Sequence, residues 1–198
     1  MISIYHIKPK FQKLLQPIVV KLRGMNVTPN MITLFSIFFS IIISYFLWIS
    51  QVNSIFYLFV SFGLLIRMAL NAIDGMMARQ YHLQSKTGEI LNEIGDVISD
   101  SVIYFSIISF STLDIKIAIF FIIMSIFNEF CGLLSKVISG ERRFDGPMGK
   151  SDRAFLLGFI CIIFYFTDIL NSYMNYIIGF SSILIVFSSY LRIIKSIK

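Results

Sequence analysis

Carboxylate and amide side chains recur at helical spacing between Asn71 and Asp100, in a chain that is otherwise strongly apolar. At 100° per residue they form two polar faces, within arcs of about 60° and about 100°. The first face comprises Arg67, Asn71, Asp74 and Ala78, and the second comprises Glu89, Asn92, Glu93, Asp96 and Asp100. Oxygen ligands at this density suit Mg²⁺ or Mn²⁺, hard cations that often hold substrate phosphates. The spacing alone equally allows a buried polar network or an ion-conducting path.

The elements that must position these faces are apolar enough to cross a lipid bilayer. The 198-residue chain is 57% hydrophobic and 14% charged, and no charged residue lies between Arg23 and Arg67. Six apolar runs of about 20 residues have spanning length. Because backbone groups in hydrocarbon must be satisfied within the segment, and a barrel's alternation is missing, we expect helices. The sequence thus predicts an all-α integral membrane protein with one domain, 1–198, and spans at roughly 29–50, 54–78, 89–111, 114–138, 152–170 and 172–194.

Basic residues fall on one side of this arrangement. They cluster before the first span, after the second and fourth spans, and at the end of the chain, whereas the opposite loops hold only Lys116 near a membrane end. The positive-inside rule therefore places both termini in the cytoplasm, and we expect a bacterial cytoplasmic (inner) membrane. The formal charge of +6 follows from topology and anionic lipid, without nucleic acid. No cleavable signal peptide is expected, since a short apolar core with a small-residue cleavage site is lacking.

The segment before the first span has an amphipathic pattern. Apolar residues recur at helical spacing, with basic residues largely on the other side, which predicts an interfacial helix over 3–23 that lies on the membrane. Pro17 could start or kink this helix. Thr28 is placed to cap the first membrane helix, and Pro29 suits its first turn.

Depth arithmetic brings the polar faces of the second and third spans together. With antiparallel helices whose cytoplasmic ends lie near residues 80 and 88, a rise of about 1.5 Å per residue places Asp74 about 9 Å and Asn71 about 13 Å deep. Asn92 and Asp96 lie about 6 and 12 Å deep by the same measure. These four residues can share one layer of an interior cavity.

Arg67 and Asp100 are matched in depth below that layer, at about 19 and 18 Å. We interpret them as a structural ion pair. Exchanging the two residues should then restore the folding that either single charge reversal abolishes.

The residues from 71 to 96 resemble the signature of the CDP-alcohol phosphotransferases (CDP-alcohol phosphatidyltransferases), Asp-x2-Asp-Gly-x2-Ala-Arg-x8-Gly-x3-Asp-x3-Asp. The six-span layout and the preceding surface helix are also similar to this family. The resemblance implies two divalent cations, Mg²⁺ or Mn²⁺, on the diphosphate of CDP-diacylglycerol or a similar CDP-linked lipid, with the last aspartate as base on a small alcohol. A homodimer is implied by the resemblance alone. Matching positions are Asp74 (metal and nucleotide), Gly75, Ala78, Arg79 and Gly88 (nucleotide), and Asp96 (base and metal).

Two signature aspartates are replaced, the first by Asn71 and the third by Asn92. An amide still offers an oxygen ligand but no charge, so two negative charges are lost from a site meant for two dications. The protein could use one tightly held metal, recruit Glu93, Glu89 or Glu129 as a substitute, or have lost catalysis. We favour retained activity, because decay would have no reason to spare the other signature residues together.

The loop before the fifth span carries Arg142, Arg143, Lys150 and Arg153 beside the cytoplasmic mouth. Topology explains such charges equally well. The functional interpretation is a pocket for an anionic acceptor or lipid headgroup, since arginine offers paired donors to phosphate.

The resemblance implies transfer of a substituted phosphate, phosphatidyl from CDP-diacylglycerol, to a small alcohol with release of CMP, in phospholipid biosynthesis. Serine, glycerol 3-phosphate, inositol phosphate and another lipid remain open as acceptors, and the basic loop favours a phosphorylated one. Two other classes of function stay open. One is a transporter or channel that uses the polar cavity, and the other is a non-catalytic relative that binds CDP-lipid.

Overall fold

The computed structural model describes residues 8–197, and this part of the chain is helical without any strand. The prediction of an all-α protein is therefore confirmed. A 3₁₀ turn, Ser106–Ser109, follows the fourth helix, and another, Ile169–Tyr173, precedes the last one. The α-helices are α1 (Lys8–Gly24), α2 (Pro29–Ile49), α3 (Ile55–Gln80), α4 (Lys86–Phe105), α5 (Ile115–Ser139), α6 (Lys150–Phe166) and α7 (Met174–Ile197).

Four helical segments among the described residues are long and apolar enough to cross a membrane. They are α2, α3, α5 and the stretch Ile169–Ile197, which contains α7. Helix α4 carries the charges of the second polar face, and α6 has only 17 residues. Length and composition therefore support a membrane protein, and the number of six spans stays a prediction.

The helix boundaries differ most from the predicted spans at the end of α4 and the end of α6. The apolar run 89–111 extends beyond α4, which ends at Phe105. There the hydroxyl of Ser106 donates to the carbonyl of Val102 (3.3 Å) and contacts the hydroxyl of Ser44. The chain tightens into the 3₁₀ turn at this point. The apolar run 152–170 corresponds to α6, which begins at Lys150 and ends at Phe166. The bounds differ because apolar composition does not show where backbone hydrogen bonding stops.

Side-chain and glycine caps set the ends of the helices that build the site. The hydroxyl of Thr28 accepts from the amide of Met31 (3.3 Å) at the start of α2, as predicted. Ser85 caps α4 in the same way by accepting from the amide of Gly88 (3.0 Å). Gly140 ends α5 with φ +77°, a left-handed conformation that costs glycine little.

Helix α1 is continuous through Pro17 and packs on α3. Leu15 and Val19 are buried in a cluster with Ile73 and Met77 of α3. The predicted interfacial helix began at residue 3, and residues 3–7 lie outside the described residues. Leu14 is 72% exposed on the far side, and the placement of α1 on a membrane surface stays a prediction.

The bundle separates an apolar core from the polar layer. Helix α2 packs against α3 and α4, α3 packs against α6, and α5 packs against α7. The core contains Leu47 of α2, Tyr57 of α3 and Tyr104 of α4. These residues lie near the late end of α2, the early end of α3 and the late end of α4, so the opposite ends of the same three helices are free to build a polar site.

Candidate functional site

A cavity of about 980 Å³ opens between the ends of the helices opposite the apolar core. Its wall includes residues from α1 through α7 and from the loop between α5 and α6. Every position of the phosphotransferase signature lines it, including the two that carry asparagine in place of aspartate. These positions are Asn71, Asp74, Gly75, Ala78, Arg79, Gly88, Asn92 and Asp96.

Four polar side chains at the base of this cavity form two pairs that join α3 to α4. The Nδ2 group of Asn71 donates to Oδ1 of Asp96 (3.1 Å), and that of Asn92 donates to Oδ2 of Asp74 (3.1 Å). Asp74 is 3% exposed, and the other three are half-buried. The structure thus brings together the layer that depth arithmetic predicted, with one amide and one carboxylate in each pair.

Helix α2 supports both pairs, which the sequence analysis missed. The hydroxyl of Thr33 donates to Oδ2 of Asp74 (2.9 Å), and that of Ser36 donates to Oδ1 of Asn71 (2.8 Å). A signal was available, because Thr33, Ser36, Ser40 and Ser44 follow one another at steps of three or four residues on an apolar helix. A polar stripe of this kind indicates a face turned toward other polar groups.

Lys150 forms an ion pair with Oδ1 of Asp96, the oxygen that also accepts from Asn71. Lys150 is the first residue of α6, whose start is held by Asp152, since the carboxylate of Asp152 accepts from the amide of Gly149 (3.1 Å). The structure therefore places a cation from a distant helix directly on the predicted base.

Two glycines leave little space for a side chain at the rim. A Cβ on Gly88 would lie 2.8 Å from Oδ1 of Asn30, and one on Gly75 would lie 3.2 Å from Nη1 of Arg79. The guanidinium of Arg79 thus lies close to the backbone of Gly75, and the residue is exposed at the cavity wall. This geometry would let a ligand meet backbone and guanidinium at the same place.

Arg67 and Asp100 lie in contact deep in the bundle, with 2.6 Å between Nη2 and Oδ1 and side chains that are 3% and 5% exposed. Asp100 also faces Nη2 of Arg153 at 3.4 Å. The carboxylate therefore lies between two guanidinium groups. The expected rescue by exchange needs correction, since an arginine at position 100 would lie beside Arg153.

The four basic residues predicted to bind an anionic acceptor do not act as one group. Arg142 and Lys150 line the cavity, but Arg143 and Arg153 do not. Arg153 is 1% exposed, because α6 begins at Lys150 and its first turn carries this side chain inward to Glu129, 2.9 Å away. Arg143 instead donates to the carbonyl of Lys195 (3.3 Å).

The three glutamates considered as substitute ligands already have basic partners. Glu129 binds Arg142 and Arg153, each at 2.9 Å, and lies 3.9 Å from Arg192. Glu93 pairs with Arg142, and Glu89 pairs with Lys136. Within residues 8–197, no group of three or more His, Cys, Asp or Glu side chains converges as a metal site would require. Glu89 and Glu129 line the same cavity as the two aspartates, but each of the three glutamates is held by a basic side chain.

The family profile described as CDP-alcohol phosphatidyltransferase matches residues 26–190. This chain belongs to the CDP-alcohol phosphatidyltransferase family. It is 42% identical to the inner membrane protein YnbA of Escherichia coli over 156 residues, which are 79% of this chain and 77% of that protein. A protein of Aquifex aeolicus is 36% identical over 97 residues, 48% of this chain and 46% of its own.

Solved structures share the fold of this family member. Phosphatidylinositol phosphate synthase of Mycobacterium tuberculosis with CDP-DAG bound has a TM-score of 0.75 at 14% identity, covering 93% of this chain and 94% of that chain. The same synthase in complex with manganese and citrate has a TM-score of 0.75 at 15% identity, covering 91% and 87%. At this identity the likeness shows the fold alone.

This member of the family is a variant, with asparagine at the first and third aspartate positions of the signature. The structure shows what the amides do in their place. Asn71 and Asn92 each donate a hydrogen bond to a remaining aspartate, where a carboxylate would have repelled it. The layer is therefore held together by its own side chains.

Proposed function

We propose that this family member transfers the phosphatidyl group of CDP-diacylglycerol to a small alcohol and releases CMP. The observation that carries the proposal is the single cavity in which Asp74 and Asp96 meet every other signature position. Support comes from family membership and from the related synthase whose structure contains CDP-DAG. Asp74, Asn71, Asn92 and Asp96 serve the diphosphate end, and Gly75, Ala78, Arg79 and Gly88 serve the nucleotide.

The donor set of the layer fits one hard divalent cation, Mg²⁺ or Mn²⁺. Asp74 and Asp96 would supply charged oxygen ligands. Asn71 and Asn92 would supply neutral ones after turning their amides, whose Nδ2 groups face the two aspartates in this structure. When bound, such an ion neutralises diphosphate charge and stabilises CMP as the leaving group. A related synthase whose structure contains manganese supports this assignment.

Asp96 acts as the base on the acceptor hydroxyl. It is the half-buried carboxylate of the layer, whereas Asp74 is buried and receives Thr33 and Asn92. The hydroxyl proton passes to Asp96 while the hydroxyl oxygen bonds to the phosphatidyl phosphorus. The bond from that phosphorus to the bridging oxygen breaks, and its electron pair leaves with CMP. A carboxylate within reach of the proton contributes about 10²–10⁴-fold to such a step.

The acceptor enters beside Arg142 and Lys150, the two members of the basic set that line the cavity. A phosphorylated small alcohol suits this wall, since guanidinium and ammonium groups both bind phosphate. The site opens to the cytoplasm in a bundle of six spans with both termini cytoplasmic, in a bacterial inner membrane and as a homodimer. The excess of Lys and Arg at this end of the bundle supports that orientation.

The test is to incubate the purified protein with CDP-diacylglycerol, Mn²⁺ or Mg²⁺ and a panel of alcohols, and to measure CMP and lipid products. We expect CMP release that requires both the metal and one class of alcohol, and that is lost in Asp96→Asn. Asp145→Asn is the matched control, because Asp145 pairs with Lys195 outside the cavity.

Two outcomes would contradict the proposal and identify the alternative. Nucleotide binding without CMP release across a broad panel would indicate a non-catalytic CDP-lipid-binding protein. Ion flux in reconstituted vesicles that persists in Asp96→Asn, without any CMP, would indicate a channel that uses the polar cavity.

A further inference from the structure

We propose that the ammonium of Lys150 takes the place of one divalent cation, so that each site holds one metal ion where the family signature implies two. The inference rests on the proposed function for the identity of the substrate. It concerns what the chain itself binds, however, and can be tested without turnover.

The side-chain amides of Asn71 and Asn92 have a defined direction in the layer. Asn71 and Asn92 turn their Nδ2 donors toward Asp96 and Asp74, at 3.1 Å in both cases. The oxygen of Asn71 accepts from Ser36 at 2.8 Å, which orients that amide. Carboxylates at both positions would lie against the aspartates as like charges and would need two dications between them. With amides there, the layer needs much less positive charge.

Lys150 lies where a cation can pair with Asp96. Among the described residues, Lys150 makes the only ion pair to Asp74 or Asp96, and it does so on the oxygen that faces Asn71. Its side chain is 24% exposed within the cavity wall, so the charge lies at the site and not in bulk solvent. Arg142 lines the same cavity but pairs with Glu129, and Arg153 lies outside the lining and also pairs with Glu129, 2.9 Å from each.

The charges of the substrate complex balance with a single divalent cation. The diphosphate of a CDP-lipid carries two negative charges, and Asp74 and Asp96 carry two more. One divalent cation, Lys150 and Arg79 neutralise these four charges. Four signature carboxylates would raise the negative charge to six and call for a second divalent ion. A second dication beside Lys150 would meet a like charge, and the other carboxylates that line the cavity, Glu89 and Glu129, are already paired with Lys136 and Arg142.

The experiment is to count Mn²⁺ ions per chain by electron paramagnetic resonance during a MnCl₂ titration of the full chain in detergent, with and without CDP. We expect one Mn²⁺ per chain. Lys150→Gln should tighten Mn²⁺ binding about tenfold, because removing a unit positive charge beside a dication removes a Coulomb repulsion of that order even in a water-like dielectric. Lys150→Arg should behave like the wild type, and Lys195→Gln, an exposed lysine paired with Asp145, should change nothing.

A second variant keeps the proposal testable if Lys150→Gln does not fold. The double substitution Asn71→Asp with Asn92→Asp should raise the count from one to two Mn²⁺ per chain. Two Mn²⁺ in the wild type, or an affinity in Lys150→Gln within about twofold of the wild type, would overturn the proposal. Two ions together with CMP release would refute this inference and leave the proposed function standing. One Mn²⁺ per chain, with the expected Lys150→Gln effect but without CMP release, would refute the proposed function and leave this inference standing.

Discussion

Removing the carboxylate of Asp100 should destabilise the bundle more than removing its arginine partner Arg67. Asp100 lies 2.6 Å from Arg67 and 3.4 Å from Arg153, and both guanidinium groups are almost completely buried. Asp100→Asn leaves Arg67 without an anionic partner, while Arg153 keeps Glu129 at 2.9 Å, and breaking a buried pair in this way costs about 3–5 kcal/mol. Arg67→Gln leaves Asp100 with Arg153, so we expect a loss of about 1.5–3 kcal/mol, the range for a hydrogen bond to a charged group.

The assay is equilibrium unfolding in mixed micelles of a mild detergent and dodecyl sulfate, followed by circular dichroism. Asp145→Asn is the control, because its partner Lys195 is half exposed and a surface pair contributes about 0–1 kcal/mol. Exchanging Arg67 and Asp100 should not restore stability, since the new arginine would lie beside Arg153. Full rescue by the exchange, or a loss in Asp100→Asn no larger than in the control, would refute this reasoning.

Three further substitutions test how the site is built. Thr33→Val removes the hydrogen bond to Asp74 (2.9 Å) and should weaken Mn²⁺ binding or CMP release by about tenfold or more, corresponding to about 1.5–3 kcal/mol. Thr112→Val, in an exposed loop, is the control and should change neither quantity. Gly88→Ala places a Cβ 2.8 Å from Oδ1 of Asn30 and should lower the affinity for the nucleotide. Adding Asn30→Ala should restore that affinity. Gly179→Ala is the control and should have no effect, because nothing lies within 4 Å of the added Cβ. Gly146→Ala would place a Cβ 2.6 Å from Cα of Ser188 on a residue with φ +95°. The free energy of unfolding, measured by thermal unfolding, should fall by more than about 1 kcal/mol. An unchanged midpoint would contradict the close packing of this loop on α7.

The sequence was most informative where one physical rule acts alone. Bilayer-length apolar runs predicted the long helices, and Thr28 predicted the start of α2. The depth of Asp74, Asn71, Asn92 and Asp96 follows from helical rise alone, and the structure joins the four in two hydrogen-bonded pairs.

What the sequence did not predict depends on how the helices rotate and pack. Lys150 and Arg153 are three residues apart, yet one lies on Asp96 and the other points into the bundle toward Glu129. Charge counting placed both in one loop because it did not locate the first turn of α6. The end of α4 at Phe105 was likewise not predicted, and just beyond it Ser106 contacts Ser44 of α2.

The most direct test of the central claim is the single-turnover rate of CMP release from CDP-diacylglycerol by the wild type and by Asp96→Asn, with Mn²⁺ and the acceptor alcohol saturating. Asp96→Asn also loses one charged metal ligand, so it should need a higher Mn²⁺ concentration for saturation. Once saturated, it should still bind the CDP-lipid through the rest of the signature but release CMP about 10²–10⁴-fold more slowly, because proton removal relies on this carboxylate. Release at the wild-type rate by Asp96→Asn would contradict the assignment of Asp96 as the base.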